Sequence, residues 1–168
     1  VTDAAELSGI PVDVVEAARE AARKEGREGA KLTLHMPCYL PVMKYADHHG
    51  LRERMYRAYV TRASEFGAPE WDNSANMRRI LELRRELATL LGYRSYAEVS
   101  LATKMAGSAE EVLAFLDDLA RRARPFAARD MDELRAFARE ELNLADVRAC
   151  DIPYVSEKLR QKRYAFSD

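Results

Sequence analysis

The side chains best suited to chemistry are three histidines and two cysteines, and their spacing decides whether they could hold a metal. His35 and Cys38 form a His-x-x-Cys pair, and His48 and His49 follow farther along. A zinc site needs three or four such donors converging on a tetrahedron. His48 and His49 are adjacent, so on a helix end they point about 100° apart. A run of mixed residues separates them from the first pair. The pattern predicts exposed loop histidines and no metal ligands. Nucleophilic catalysis needs a Ser, Cys or Thr beside a positioned base. The sequence has no G-x-S-x-G elbow, and Cys38 with His35 is its one local pair. Gly26-Arg27-Glu28-Gly29 lacks the context of a phosphate loop and carries an acid. The adjacent acids Asp117-Asp118 and Glu140-Glu141 face different directions on a helix, without an apolar pocket to raise a pKa. The expectation is therefore no catalytic, cofactor-binding or metal-ligating residue in this chain.

Composition narrows the class. Hydrophobic residues make up 48% and charged residues 33% of 168 positions, which describes a globular chain with a charged surface. Lys and Arg total 27 against 28 Asp and Glu, a net charge of −1. Nothing here attracts nucleic acid or an anionic membrane through a global field. Mixed runs such as Arg19-Glu20 and Arg52-Glu53-Arg54 read as solvated helix faces. Cys38 and Cys150 read as reduced, partly buried thiols of a cytoplasmic protein. No apolar run reaches the length of a membrane span. The polar start at Val1 and the N-cap-like Ser167-Asp168 suggest a piece of something longer.

The elements that would position these residues are mostly helices. Pro11 suits the first turn of a helix whose narrow apolar face is Val14, Val15, Ala18, Ala21 and Ala22, closed by Gly26 and Gly29. Residues 31–36 alternate polar and apolar, which predicts one short strand. Pro41 is expected to open a short helix that His48-His49-Gly50 ends. Leu51, Met55, Tyr59, Ala63 and Phe66 predict a helix over 51–66. Asp72-Asn73-Ser74 offers caps for a helix closed by Gly92. Ser95 with Glu98, and Ser108 with Glu111, are capping boxes. Pro125 should kink or break the helix after Ser108, and Asp151 should cap a last helix over about 152–164. The fold class is thus mainly α, about seven helices in an array with one strand. The whole of 1–168 reads as a single helical segment. The aromatics are expected to pack in the core and at caps, with a peptide-facing groove as the alternative for some tyrosines.

Several blocks in sequence carry a resemblance. Leu32 to Met43, Leu51 to Ser64, Trp71-Asp72-Asn73-Ser74, Ser100 to Ala106, Phe115 to Pro125 and Ala149 to Lys158 resemble, in order, segments of the thimet oligopeptidase and oligopeptidase A family of zinc metallopeptidases. Cys150 stands where that family usually has Trp, and Val155 where it usually has a second Tyr. The resemblance implies a segment of a mainly helical, two-lobed cytoplasmic enzyme that cleaves short peptides in a deep channel. It implies zinc held by an H-E-x-x-H helix and a later Glu, none of which this sequence contains. The segment would be scaffold and channel wall, inert alone, with the remainder of its own polypeptide as partner. Tyr56, Tyr59 and Tyr154 are its candidate channel-lining residues. A different class of reading is a helical protein-interaction module with no enzymatic role. Isolated, the segment could also self-associate through surface left uncovered.

Overall fold

A computed structural model describes residues 1–165. Seven α-helices are formed among them: α1 (Val12–Lys24), α2 (Met36–Tyr45), α3 (His49–Val60), α4 (Ser74–Leu90), α5 (Tyr96–Leu101), α6 (Ala109–Leu142) and α7 (Ile152–Tyr164). Short 3-10 turns occupy Ala4–Leu7 and Pro69–Trp71. The mainly α class holds. The expected cap at Ser167-Asp168 lies outside the described residues.

Two compact units emerge. One is Val1–Thr61 together with the segment from Met131 onward; the other is Arg62–Asp130. The first has the core. Its centre is α2, which packs against α1, α3 and α7. Val42 and Met43 of α2 are fully buried, beside Leu51 and Met55 of α3 and Val15 and Ala18 of α1. Each large side chain removed from water here contributes roughly 1.5–3 kcal/mol. Cys150 and Val155 are also buried, at 3% and 0% exposure. Small side chains at these positions fit the close approach of α2 and α7.

The second unit is built differently. The side chain of Ser95 accepts from Glu98 N, while Glu98 accepts from Arg94 N. Ser108 and Glu111 reciprocate in the same way with Glu111 N and Gly107 N. Both predicted caps therefore form, with each Glu reaching the amide one residue before the capping serine rather than the serine's own. Gly92, with φ +80°, follows α4 where a left-handed residue is required. Ala88 is the one residue of 62–130 that is buried.

Several local expectations are corrected. The strand at 31–36 does not form; no strand occurs among the described residues. The segment runs irregularly. Its first amide, Lys31 N, donates to Ala18 O of α1 at 2.9 Å, and Thr33 N donates to Cys38 Sγ at 3.2 Å. Alternation alone cannot make a strand without a ladder partner. Helix α2 starts at Met36, with Pro37 in its first turn, so Pro41 lies inside it. His48 does not end that helix. It caps the next one, accepting from Leu51 N through Nδ1 at 3.1 Å. Helix α3 stops at Val60 rather than Phe66, because Ala63 takes a left-handed φ of +54°. Pro125 does not break α6, which runs through all 34 residues to Leu142. Proline forfeits only one backbone bond there, and the Ala-, Leu- and Arg-rich turns on both sides carry the helix past it.

Candidate functional site

The most unusual chemistry in the chain lies where α3 meets the start of α7. Arg52, on α3, is 2% exposed, and Asp151, at the head of α7, is 0% exposed. Arg52 Nη2 donates to Asp151 Oδ1 at 2.7 Å. Its Nη1 donates to the carbonyls of Ala46 and Asp47 at 2.7 and 3.0 Å. Those carbonyls come free because α2 has just ended at Tyr45. The same Oδ1 contacts His49 Nδ1 at 2.9 Å, and Arg148 N donates to Oδ2 at 3.1 Å. Asp151 makes no side-chain cap bond to α7. It stands at the predicted cap position, but its carboxylate is committed to α3.

A second ring surrounds this pair. Tyr154 lays its ring 4.1 Å from the Arg52 guanidinium carbon, and Lys158 Nζ lies 5.2 Å from the ring centre. The Tyr154 hydroxyl donates to Asp47 Oδ1 at 3.0 Å, and Ser8 Oγ donates to Asp47 Oδ2 at 3.0 Å. Arg148 Nη1 reaches Glu53 Oε1 at 2.9 Å. Farther along α7, the buried Glu157 accepts from Arg160 and Gln161, with Lys44 at 4.0 Å.

Burial by itself would push the Asp151 carboxyl up. The bonds from Arg52, His49 and Arg148 N outweigh it and hold the group below the usual carboxylate range. Glu157 is also lowered: burial opposes, and the bonds from Arg160 and Gln161 prevail. Burial raises the Cys150 thiol, and the charge of Asp151 adds to that, so Cys150 is a poor nucleophile. Burial, then the bond to Asp47, raises Tyr154.

A carboxyl whose pKa is lower in the folded chain than in the unfolded one stabilises the fold above its unfolded pKa. That contribution is lost as pH falls through the folded value. Asp151 and Glu157 both have this sign, so stability should decline as pH drops below about 4. Urea midpoints taken at stepwise lower pH would show it, with a shallower decline for Asp151→Asn. An acid limb identical in the two proteins would refute the assignment.

Correction is due to two readings. Arg52 is not on a solvated face, and His49 is not an exposed loop histidine. The signal was weak: Asp151 and Arg52 are 99 residues apart, and an Asp just before Ile-Pro reads as an ordinary cap. The tyrosines are placed as follows. Tyr59 stacks on Tyr39 with ring centres 4.3 Å apart. Tyr56 and Tyr59 are partly buried against the core of the first unit. Tyr154 belongs to the Arg52 cluster. Cys38 and Cys150 are free thiols, partly and fully buried.

The zinc implied by the resemblance can be tested against the donors present. Among the described residues, His49, Cys150 and Asp151 bring three possible ligand atoms within 4.8 Å of one another. Asp151 Oδ1 already takes Arg52 and His49. A guanidinium 2.7 Å away also opposes a dication. The cluster does not fit zinc; it is an ionic clasp joining α3 to α7. No helix among the described residues is long and apolar enough to cross a membrane.

Comparison with known proteins gives these features their setting. The family model described as peptidase family M3 matches residues 42–168. The chain belongs to this family. Oligopeptidase A of Salmonella typhimurium is 52% identical over 170 residues, covering all of this chain and 25% of its own length. Oligopeptidase A of Escherichia coli matches with the same identity and coverage. The probable cytosolic oligopeptidase A of Arabidopsis thaliana is 38% identical over 177 residues, again 25% of its length. The chain thus spans about a quarter of the curated relatives it matches. In this M3 segment, both ends of the Arg52–Asp151 clasp fall within the matched residues.

Proposed function

We propose that residues 1–168 are one helical segment of a cytoplasmic zinc metallo-oligopeptidase, serving as scaffold and wall of the channel in which short peptides are cleaved. The observation that carries this reading is 52% identity to oligopeptidase A along the entire chain, over a quarter of that relative's length. Zinc and the catalytic groups belong to the remainder of the polypeptide, since this sequence writes no H-E-x-x-H. What the segment contributes is rigidity. The Arg52–Asp151 clasp fixes α7 on α3, and the stacked Tyr39–Tyr59 pair stiffens the face of α3 that bears Tyr56. Tyr56, Tyr59 and Tyr154 are proposed as wall residues. Tyr154 would act there through its ring edge, its hydroxyl being held by Asp47.

The test is a chimera in which this chain replaces the matching quarter of Escherichia coli oligopeptidase A. Peptide hydrolysis within about tenfold of the parent is expected, because segment walls contribute positioning rather than reacting groups. The 168-residue chain alone should show neither stoichiometric zinc nor turnover. A folded, zinc-loaded chimera without activity, or turnover by the chain alone, would overturn the proposal.

A further inference from the structure

His49 is the first residue of α3, and its two ring nitrogens meet different surroundings. Nδ1 lies 2.9 Å from Asp151 Oδ1. That carboxylate is 0% exposed and is bonded by Arg52 and by Arg148 N, which keep it ionised, so it can only accept. In the neutral ring the hydrogen therefore sits on Nδ1 and the lone pair on Nε2. Nε2 faces Glu53, four residues on along α3, with Oε2 at 4.0 Å. Both side chains reach solvent, at 35% and 52% exposure. The guanidinium of Arg52 meets the oxygen that Nδ1 faces; Nε2 has a carboxylate before it instead. A histidine that gives one N–H to a buried carboxylate and presents its other nitrogen beside a second carboxylate has the make-up of a metal ligand with its supporting shell.

We infer that His49 Nε2 and Glu53 form a two-donor site for a divalent first-row transition-metal ion, with Asp151 as the positioning residue behind the imidazole. Neither Asp151 nor Cys150 is a ligand, and water fills the remaining positions. Neighbouring donors on one such ion lie roughly 3 Å apart, a distance that the exposed Glu53 reaches by turning its own side chain. Glu53 Oε1 is held by Arg148 Nη1 at 2.9 Å, but Arg148 Nε also has Asp146 at 3.9 Å and keeps a counter-charge when Glu53 turns. Ions that accept mixed nitrogen and oxygen donors fit the pair, whereas magnesium favours oxygen alone. His48 offers no equivalent, because its Nδ1 lone pair already accepts from Leu51 N. A bound ion draws electron density from the ring and makes Nδ1–H a stronger donor to Asp151, so the ion and the clasp support each other.

Nickel(II) is the probe, since copper(II) would oxidise the free thiols. The 168-residue chain is titrated calorimetrically while the ring protons of its three histidines are followed by NMR. The signals of His49 should broaden first, and magnesium should give no heat. His49→Gln should abolish binding and Glu53→Gln should weaken it. Asp151→Asn should weaken it about 10–100-fold, as loss of a supporting carboxylate does, a response that an unsupported surface imidazole would not give. Circular dichroism checks the fold of each variant; if Asp151→Asn does not fold, Glu53→Gln, at an exposed position, decides. Equal affinity of Glu53→Gln and the parent overturns the two-donor site. So does broadening of His35 or His48 ahead of His49, and a folded Asp151→Asn that binds as the parent does removes Asp151 from its positioning role.

Discussion

Replacing Asp151 by alanine is expected to destabilise the 168-residue chain by about 3–5 kcal/mol, because it leaves a guanidinium buried without its counter-charge. Arg52 is 2% exposed and cannot turn to water without opening the contact between α2 and α3. Its Nη1 would keep the carbonyls of Ala46 and Asp47, and Tyr154 would keep its place over the guanidinium. These neutral acceptors do not replace a carboxylate at 2.7 Å. Urea unfolding followed by circular dichroism gives the free energy. The double substitution Arg52→Met with Asp151→Leu separates the penalty of an orphaned charge from the worth of the pair. It should recover most of the loss, since a buried ion pair is often no better than apolar residues of similar volume. An Asp151→Ala midpoint indistinguishable from the parent would show that the clasp is not a determinant of stability.

Gly9→Val should have the next largest effect, a loss of about 2–5 kcal/mol. Two independent causes add here. Gly9 has φ +82°, where a β-branched residue is strained. A Cβ at this position would also lie 2.3 Å from the backbone oxygen of Tyr45 and 2.7 Å from Asp47 Oδ2. Neither atom can move cheaply. Tyr45 is the last residue of α2, and Asp47 is tied to Ser8 through both backbone and side chain, at 2.9 and 3.0 Å. Gly9→Ala, with the same clash and less strain, should fall between the parent and the valine variant. Thermal melting of the three proteins orders them. Equal melting temperatures would mean that the turn after Ser8 relaxes without resistance.

Why the sequence disclosed the helices more readily than the clasp follows from the range of the forces involved. Caps, C-terminal glycines and apolar spacing act within one or two turns, so Ser95, Ser108 and Gly92 are legible where they stand. The start of α2 differs from the expected one because two prolines compete: Pro37 and Pro41 both suit a first turn, and the helix begins at Met36 with Tyr39 packed in the core. The strand expected at 31–36 is absent for a similar reason. Its alternation is real, but a helix carbonyl and a thiol satisfy amides that a ladder would have taken. Arg52 was hidden among charged neighbours. Nothing within several turns of it reveals that its partner lies 99 residues later.

The first compact unit is assembled from the two ends of the sequence, with residues 62–130 looped out between them. During synthesis, Arg52 therefore leaves the ribosome long before Asp151 does. At roughly 5–20 residues per second the interval is on the order of ten seconds. Over that time α3 carries an unneutralised arginine and α2 lacks the helix that covers it. Residues 1–61 are left to wait, with their greasy side bare, for a late arrival. That interval ends only when Asp151 emerges.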